Sequence, residues 1–222
     1  MSSEKVEIRP SVPTPLSRPP GTRKHRLASR ALADLSAGLL ALLVALAFAL
    51  GPARLADAKV FASQKQALTE AFPEASRIDR QTLLLRKDDV AKIEALTGEK
   101  VRAKVVVIHI AYQGERILGF AEIAVHTVRT QPEAMLIVLS PDGRVRSVRI
   151  IAFHEPLDYL PTDRWYTQFG GKGKGDRLQL GREIHGVVGA TLSAQAAVDG
   201  IRRMLAYWEV LLRPAYGTDG AP

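Results

Sequence analysis

The chain has 222 residues, 46% of them hydrophobic and 6% aromatic, with no cysteine and a formal net charge of +8. That length predicts one domain with appendages, and the apolar content is enough for a packed core. The missing cysteines exclude disulfides, iron–sulfur clusters, Cys-x-x-Cys-His haem attachment and cysteine nucleophiles, and the few aromatics argue against a nucleic-acid stacking platform.

Residues 1–30 carry seven Lys/Arg (Lys5, Arg9, Arg18, Arg23, Lys24, Arg26, Arg30) against Glu4 and Glu7, a net +5. The other residues carry only +3, so the high isoelectric point belongs to the tail and does not mark a basic nucleic-acid-binding domain. With five prolines and several serines, the tail cannot bury a core and reads as disordered. Residues 31–50, "ALADLSAGLLALLVALAFAL", hold one charge, Asp34, near their start. About 20 apolar residues span the hydrocarbon as a helix. The lopsided flanking charge predicts a cytoplasmic N-terminus and a domain outside the cytoplasm. The rival is the core of a cleaved signal peptide, for Ala56-Asp57-Ala58 resembles a small-x-small cleavage site.

Residues 59–75 have near-helical apolar spacing up to Pro73, and 88–96 predict a short helix closed by Gly98. Four strands follow as an antiparallel meander: 104–112, 117–128 with a bulge at Gly119, 133–140, and 144–153 after the turn Pro141-Asp142-Gly143. Residues 154–180 read as a long loop, and its Trp165, Tyr166 and Phe169 favour a functional loop over a disordered one. Residues 192–213 form the strongest amphipathic helix, stopped by Pro214, with 214–222 a frayed tail. The fold class is therefore α+β: an antiparallel sheet with flanking helices and a C-terminal helix, preceded by one N-terminal transmembrane helix.

Several motifs bear on chemistry. Gly189-Ala190-Thr191 precedes the last helix, making Thr191 its N-cap. The same geometry offers free amides and the positive end of the helix dipole to a phosphate, with the Ser193 hydroxyl in the same turn. "GGKGKGD" (170–176) lacks P-loop spacing and reads equally as a solvated loop. His154-Glu155 reads as an acid/base pair or as polar residues at a loop mouth. His154, Glu155 and His185 have no recognised metal spacing.

In their order along the chain, several features resemble the FMN-binding domain of membrane-anchored flavoproteins. The family includes the G subunit of Rnf-type electron-transport complexes and the C subunit of sodium-translocating NADH:quinone reductase. The features are "ALTEAFPEA" after the anchor, Leu118-Gly119-Phe120, Pro141-Asp142-Gly143, His154-Glu155, Gln168-Phe169-Gly170-Gly171-Lys172 and Gly189-Ala190-Thr191. The resemblance spans roughly 59–212. It implies FMN joined through a phosphoester to Thr191 by a dedicated FMN transferase that uses FAD as donor. It further implies a ring packed against the sheet and the long loop, with Gly189, Ala190 and Ser193 at the attachment and His154, Glu155, Trp165 and Lys172 shaping the pocket. The partners implied are the lipid bilayer, other electron-transfer subunits and the transferase, but no nucleic acid. The expected location is the inner membrane in a single pass, N-terminus cytoplasmic, with the domain periplasmic or otherwise extracytoplasmic. The family's motif has Asp where this chain has His185, and Ser or Thr where it has Val188. Those two departures favour the alternative, a non-redox sensory or scaffold module of the same fold without covalent flavin.

Overall fold

The computed structural model describes residues 59–217, within the compact unit Leu55–Pro222. The basic tail, the apolar segment 31–50 and the cleavage-like Ala56-Asp57-Ala58 lie outside the described residues. Among the described residues, no helix is long and apolar enough to cross a membrane.

The elements in order are β1 (Lys59–Val60), α1 (Gln64–Ala71), β2 (Arg77–Leu84), α2 (Lys87–Thr97), β3 (Val105–Gln113), β4 (Arg116–Thr127), β5 (Pro132–Leu139) and β6 (Val145–Phe153). Short turns at Leu157–Tyr159, Asp163–Tyr166 (α3) and Thr167–Phe169 follow, then α4 (Thr191–Tyr207), a π-helical turn (Trp208–Leu212) and α5 (Arg213–Tyr216). The strands form one antiparallel sheet in the order β1-β6-β5-β4-β3-β2. The α+β reading and the four-strand meander hold.

Three corrections follow. The sheet has six strands, because Arg77–Leu84 pairs with β3 along its whole length and Lys59–Val60 pairs with the end of β6. Residues 59–75 are a short strand and an eight-residue helix rather than one helix; Ser63 Oγ accepts the Gln66 amide and so starts α1 late. Pro214 does not stop the last helix: the chain passes from the π-helical turn straight into α5, with Pro214 in its first turn.

Side-chain alternation divides the sheet into two faces. Phe120, Ala124, Met135, Ile137 and Leu139 pack with α4 and the long loop in the main core. Ala111, Ala121, Leu136, Val138 and Ile151 pack under Ala67, Leu68 and Phe72 of α1 and its end. The middle strands are buried on both faces, which is why their sequences are nearly continuous apolar runs. Gly119 has φ +154, and a Cβ there would lie 2.3 Å from the Leu139 carbonyl oxygen. It sits at the predicted bulge, where pairing passes from Ala111↔Gly119 to Tyr112↔Ile117.

Candidate functional site

The site forms at the sheet end where β4 turns into β5 and α4 begins. The chain reaches α4 through 184–190, and this approach is held by the long loop. Trp165 donates its indole N–H to the His185 carbonyl at 2.7 Å, and Gln168 Oε1 accepts the His185 amide at 2.8 Å. Gln168 is itself fixed on the Trp165 carbonyl, and Trp165 packs edge-on against Tyr166 and Phe169. Both backbone groups of His185 are thus pinned, while its side chain is exposed. Gly189 then takes φ +84, a left-handed turn that favours glycine, with open space where a Cβ would stand.

The helix cap differs from the sequence expectation. Ala190 is the N-cap, with φ −117 and ψ 28, and no side chain caps the helix. Thr191 is the first helical residue. Its hydroxyl has one long contact, 3.5 Å to the Val187 carbonyl, at the limit of a hydrogen bond. The earliest helical bond is that of the Ala194 amide to Ala190, so the first-turn amides have no helical carbonyl to bond. The hydroxyl is exposed, Ala190 and Ser193 are buried, and the positive end of a 17-residue helix points at the same space.

A cavity of about 200 Å³ opens there, lined by Gly189, Ala190, Thr191, Leu192, Ser193, Arg129 and Tyr159. Neither Arg129 nor Tyr159 was legible as a site residue, because an arginine in a turn and a tyrosine in a loop carry no spacing signal. The Arg129 guanidinium lies 4.5 Å from the centre of the Tyr159 ring, held as a cation over an aromatic face.

Glu155 explains why Arg129 stands there. One carboxylate oxygen of this buried residue accepts the Thr130 amide at 2.7 Å, the Gln131 amide at 2.9 Å and the Thr130 hydroxyl at 3.2 Å. These bonds, the Thr130 amide first, hold its pKa below the usual carboxylate value despite burial. The Val128 amide closes the same turn on the Gln131 carbonyl. His154 bonds the Pro132 carbonyl through both its amide and Nδ1, at 3.2 and 3.0 Å. The two side chains therefore brace the β4–β5 turn at separate points and do not form an acid/base pair.

Lys172 lies elsewhere. Its carbonyl accepts the Val145 amide at the start of β6, while His154 follows the other end of that strand, roughly 26 Å away at the rise of an extended chain. Its ammonium faces Asp176 at 3.8 Å. The structure thus gathers Gly189, Ala190, Thr191 and Ser193 at the cavity, sets Glu155, His154 and Trp165 behind its walls, and leaves Lys172 apart.

A second polar cluster sits in the main core. Glu133 is fully buried, its carboxylate 3.3 Å from His126 Nε2 on the neighbouring strand. Burial, with Glu133 nearby, pushes the Tyr166 phenol up. Among the described residues, no group of three His, Cys, Asp or Glu could hold a metal.

With cation, amides, dipole and hydroxyl converging, the cavity can hold a phosphate and present Thr191 Oγ to a phosphorus centre. No protein-family profile matches the chain, and no curated protein matches it.

Proposed function

We propose that this chain is a membrane-anchored flavoprotein whose FMN is esterified to Thr191, and that it relays electrons in an extracytoplasmic chain. The observation that carries the reading is the exposed, weakly held Thr191 hydroxyl at an uncapped helix start beside Arg129. The ordered resemblance of 59–212 to FMN-binding domains supplies the identity of the phosphate compound.

The fit is partial by design. Ligand pockets that enclose a whole drug-sized molecule run from about 300 to 1,000 Å³. A cavity of about 200 Å³ suits the phosphate end. Leu192 of the lining is exposed, as are Leu157 and Val188, which lie within two residues of the lining along the chain, and these offer apolar surface to the ring. Arg129 and the first-turn amides bind the phosphate, Glu155 positions Arg129, and Trp165 with Gln168 fixes the path into Gly189. Bound flavin supplies the redox chemistry, and the protein supplies position and electrostatics. A tethered cofactor is not lost to the medium, which suits a carrier outside the cytoplasm.

The test is coexpression of the exported chain with an FMN transferase, followed by denaturing gel fluorescence and intact mass. Wild type gains the mass of one FMN less one water on the peptide containing Thr191, and Thr191→Ala gains none. Absence of flavin from both, with the transferase active on a known substrate, overturns the covalent reading and leaves the non-redox module.

A further inference from the structure

Among the described residues, the face of the sheet that carries α1 is only partly covered. Eight helical residues reach about 12 Å, whereas the twelve residues of β4 run about 40 Å. Beyond α1, toward the end where β1 begins, this face exposes large apolar side chains: Leu84 is 71% exposed, Val105 50%, Val125 66% and Val60 66%. They form cross-strand sets. Leu84 pairs with Val105, and Val125 continues through Ala134 and Ala152 to Val60. All lie on one face, with the parity of Ala111, Ala121 and Ile78, which pack under α1.

Such a surface is costly in water unless something covers it. Two observations identify the cover. The segments at this end, 59–60, 84–88, 102–105, 125–132 and 153–160, expose Lys59, Arg86 (paired to Asp89), Lys87, Arg102, Lys104 and Arg129, against the exposed acids Asp88 and Asp158. The chain length before the sheet is also short. Leu50 ends the apolar segment 31–50, and nine Cα steps to Lys59 reach at most about 30 Å. Lys59 pairs with Phe153 at this same end.

We infer that this sheet end, with its apolar valines and leucine and its basic rim, rests on an anionic phospholipid surface. Apolar side chains enter the interface and lysine and arginine meet phosphates, the pattern of interfacial binding. The inference rests on residues 31–50 being a retained anchor. Arg129 and Tyr159 belong to the same end, so the Thr191 cavity opens beside that surface.

The chain has no cysteine, so single labels can be placed without background. The full chain carrying Leu84→Cys, Val125→Cys or, at the opposite end of the sheet, Glu115→Cys is labelled with bimane. It is reconstituted in vesicles of phosphatidylcholine with phosphatidylglycerol, with and without a nitroxide lipid. Labels at 84 and 125 lose about twofold or more of their fluorescence to the nitroxide, and the label at 115 keeps its own. In vesicles without phosphatidylglycerol, or with Lys59→Glu and Lys104→Glu added, the quenching at 84 and 125 falls. Labels at 84 and 125 that stay as unquenched as 115, in protein that resists carbonate extraction, overturn the docking. Shielding from aqueous iodide without lipid quenching also overturns it, by showing a second copy or a protein partner on this face. Release of the whole chain by carbonate overturns the anchor itself and the docking with it.

Discussion

Glu155 gathers three hydrogen bonds on one buried oxygen, so replacing its charge weakens all of them together. Glu155→Gln is expected to lose about 2 kcal/mol of stability at pH 7, the worth of a charge-assisted bond to backbone amides, read by urea unfolding. Its folded pKa lies below the ordinary 4.5, so the stabilisation is present above that value and disappears as pH falls through the folded pKa. Wild type and variant therefore converge in acid. Because Arg129 rides on the same turn, the proposed function expects the variant also to take up less flavin from the transferase at equal time. His185→Asp is expected to speed flavin loading, measured by gel fluorescence, with an unchanged melting temperature, because the imidazole is exposed and only the backbone of His185 is used by the fold. Small residues before a helix left a local trace of the helix start at Gly189-Ala190-Thr191, but spacing read Thr191 as its cap, a place that Ala190 takes, and only the family resemblance singled out its hydroxyl. Arg129 left no trace, since its role depends on a carboxylate 26 positions away.

At the level of elements, the turn between β5 and β6 and the end of α4 depend on each other. Gly143 has φ +81, and a Cβ there would fall 2.3 Å from the Trp208 ring. Gly143→Ala is expected to cost about 2–4 kcal/mol, combining left-handed strain with a clash against a side chain that is itself buried. Thermal unfolding of the purified variant checks this, and Gly114→Ala, also at positive φ but with open space, costs only about 1 kcal/mol. The turn was legible, since Pro-Asp-Gly names it. The indole above it was not, because nothing local marks a contact made 65 residues later. The same reason hid β2: "RIDRQTLL" alternates too weakly to read as a strand, and pairing with β3 decides it. The π-helical turn at Trp208–Leu212 carried no sequence sign either, because the helical apolar stripe runs through it unbroken.

The stability of the whole molecule should depend on pH through Glu122. Its side chain faces the main core near Arg203 and Tyr207, with Oε2 sealed from water and unbonded. Burial pushes its pKa up to about 7, against a smaller opposing pull from Arg203. The folded protein then holds a proton that the unfolded chain releases between the ordinary value of 4.5 and about 7, so stability falls across that window as pH rises. Glu122→Gln removes the loss and is expected to be more stable than wild type by on the order of 2 kcal/mol at pH 8, with no gain at pH 4, in paired denaturant curves. The α+β class and the meander were readable because buried strands write long apolar runs. A half-buried glutamate with one sealed oxygen was not, for β4 is apolar on either side of it. The pinned backbone of His185 has a historical consequence. Shape at the approach to Thr191 is set by Trp165 and Gln168, so the exposed side chains at 185 and 188 can be exchanged one at a time without unfolding the domain. On the proposed flavinylation of Thr191, a lineage could then change which modifying enzyme reads this segment, or cease to be read, through folded intermediates.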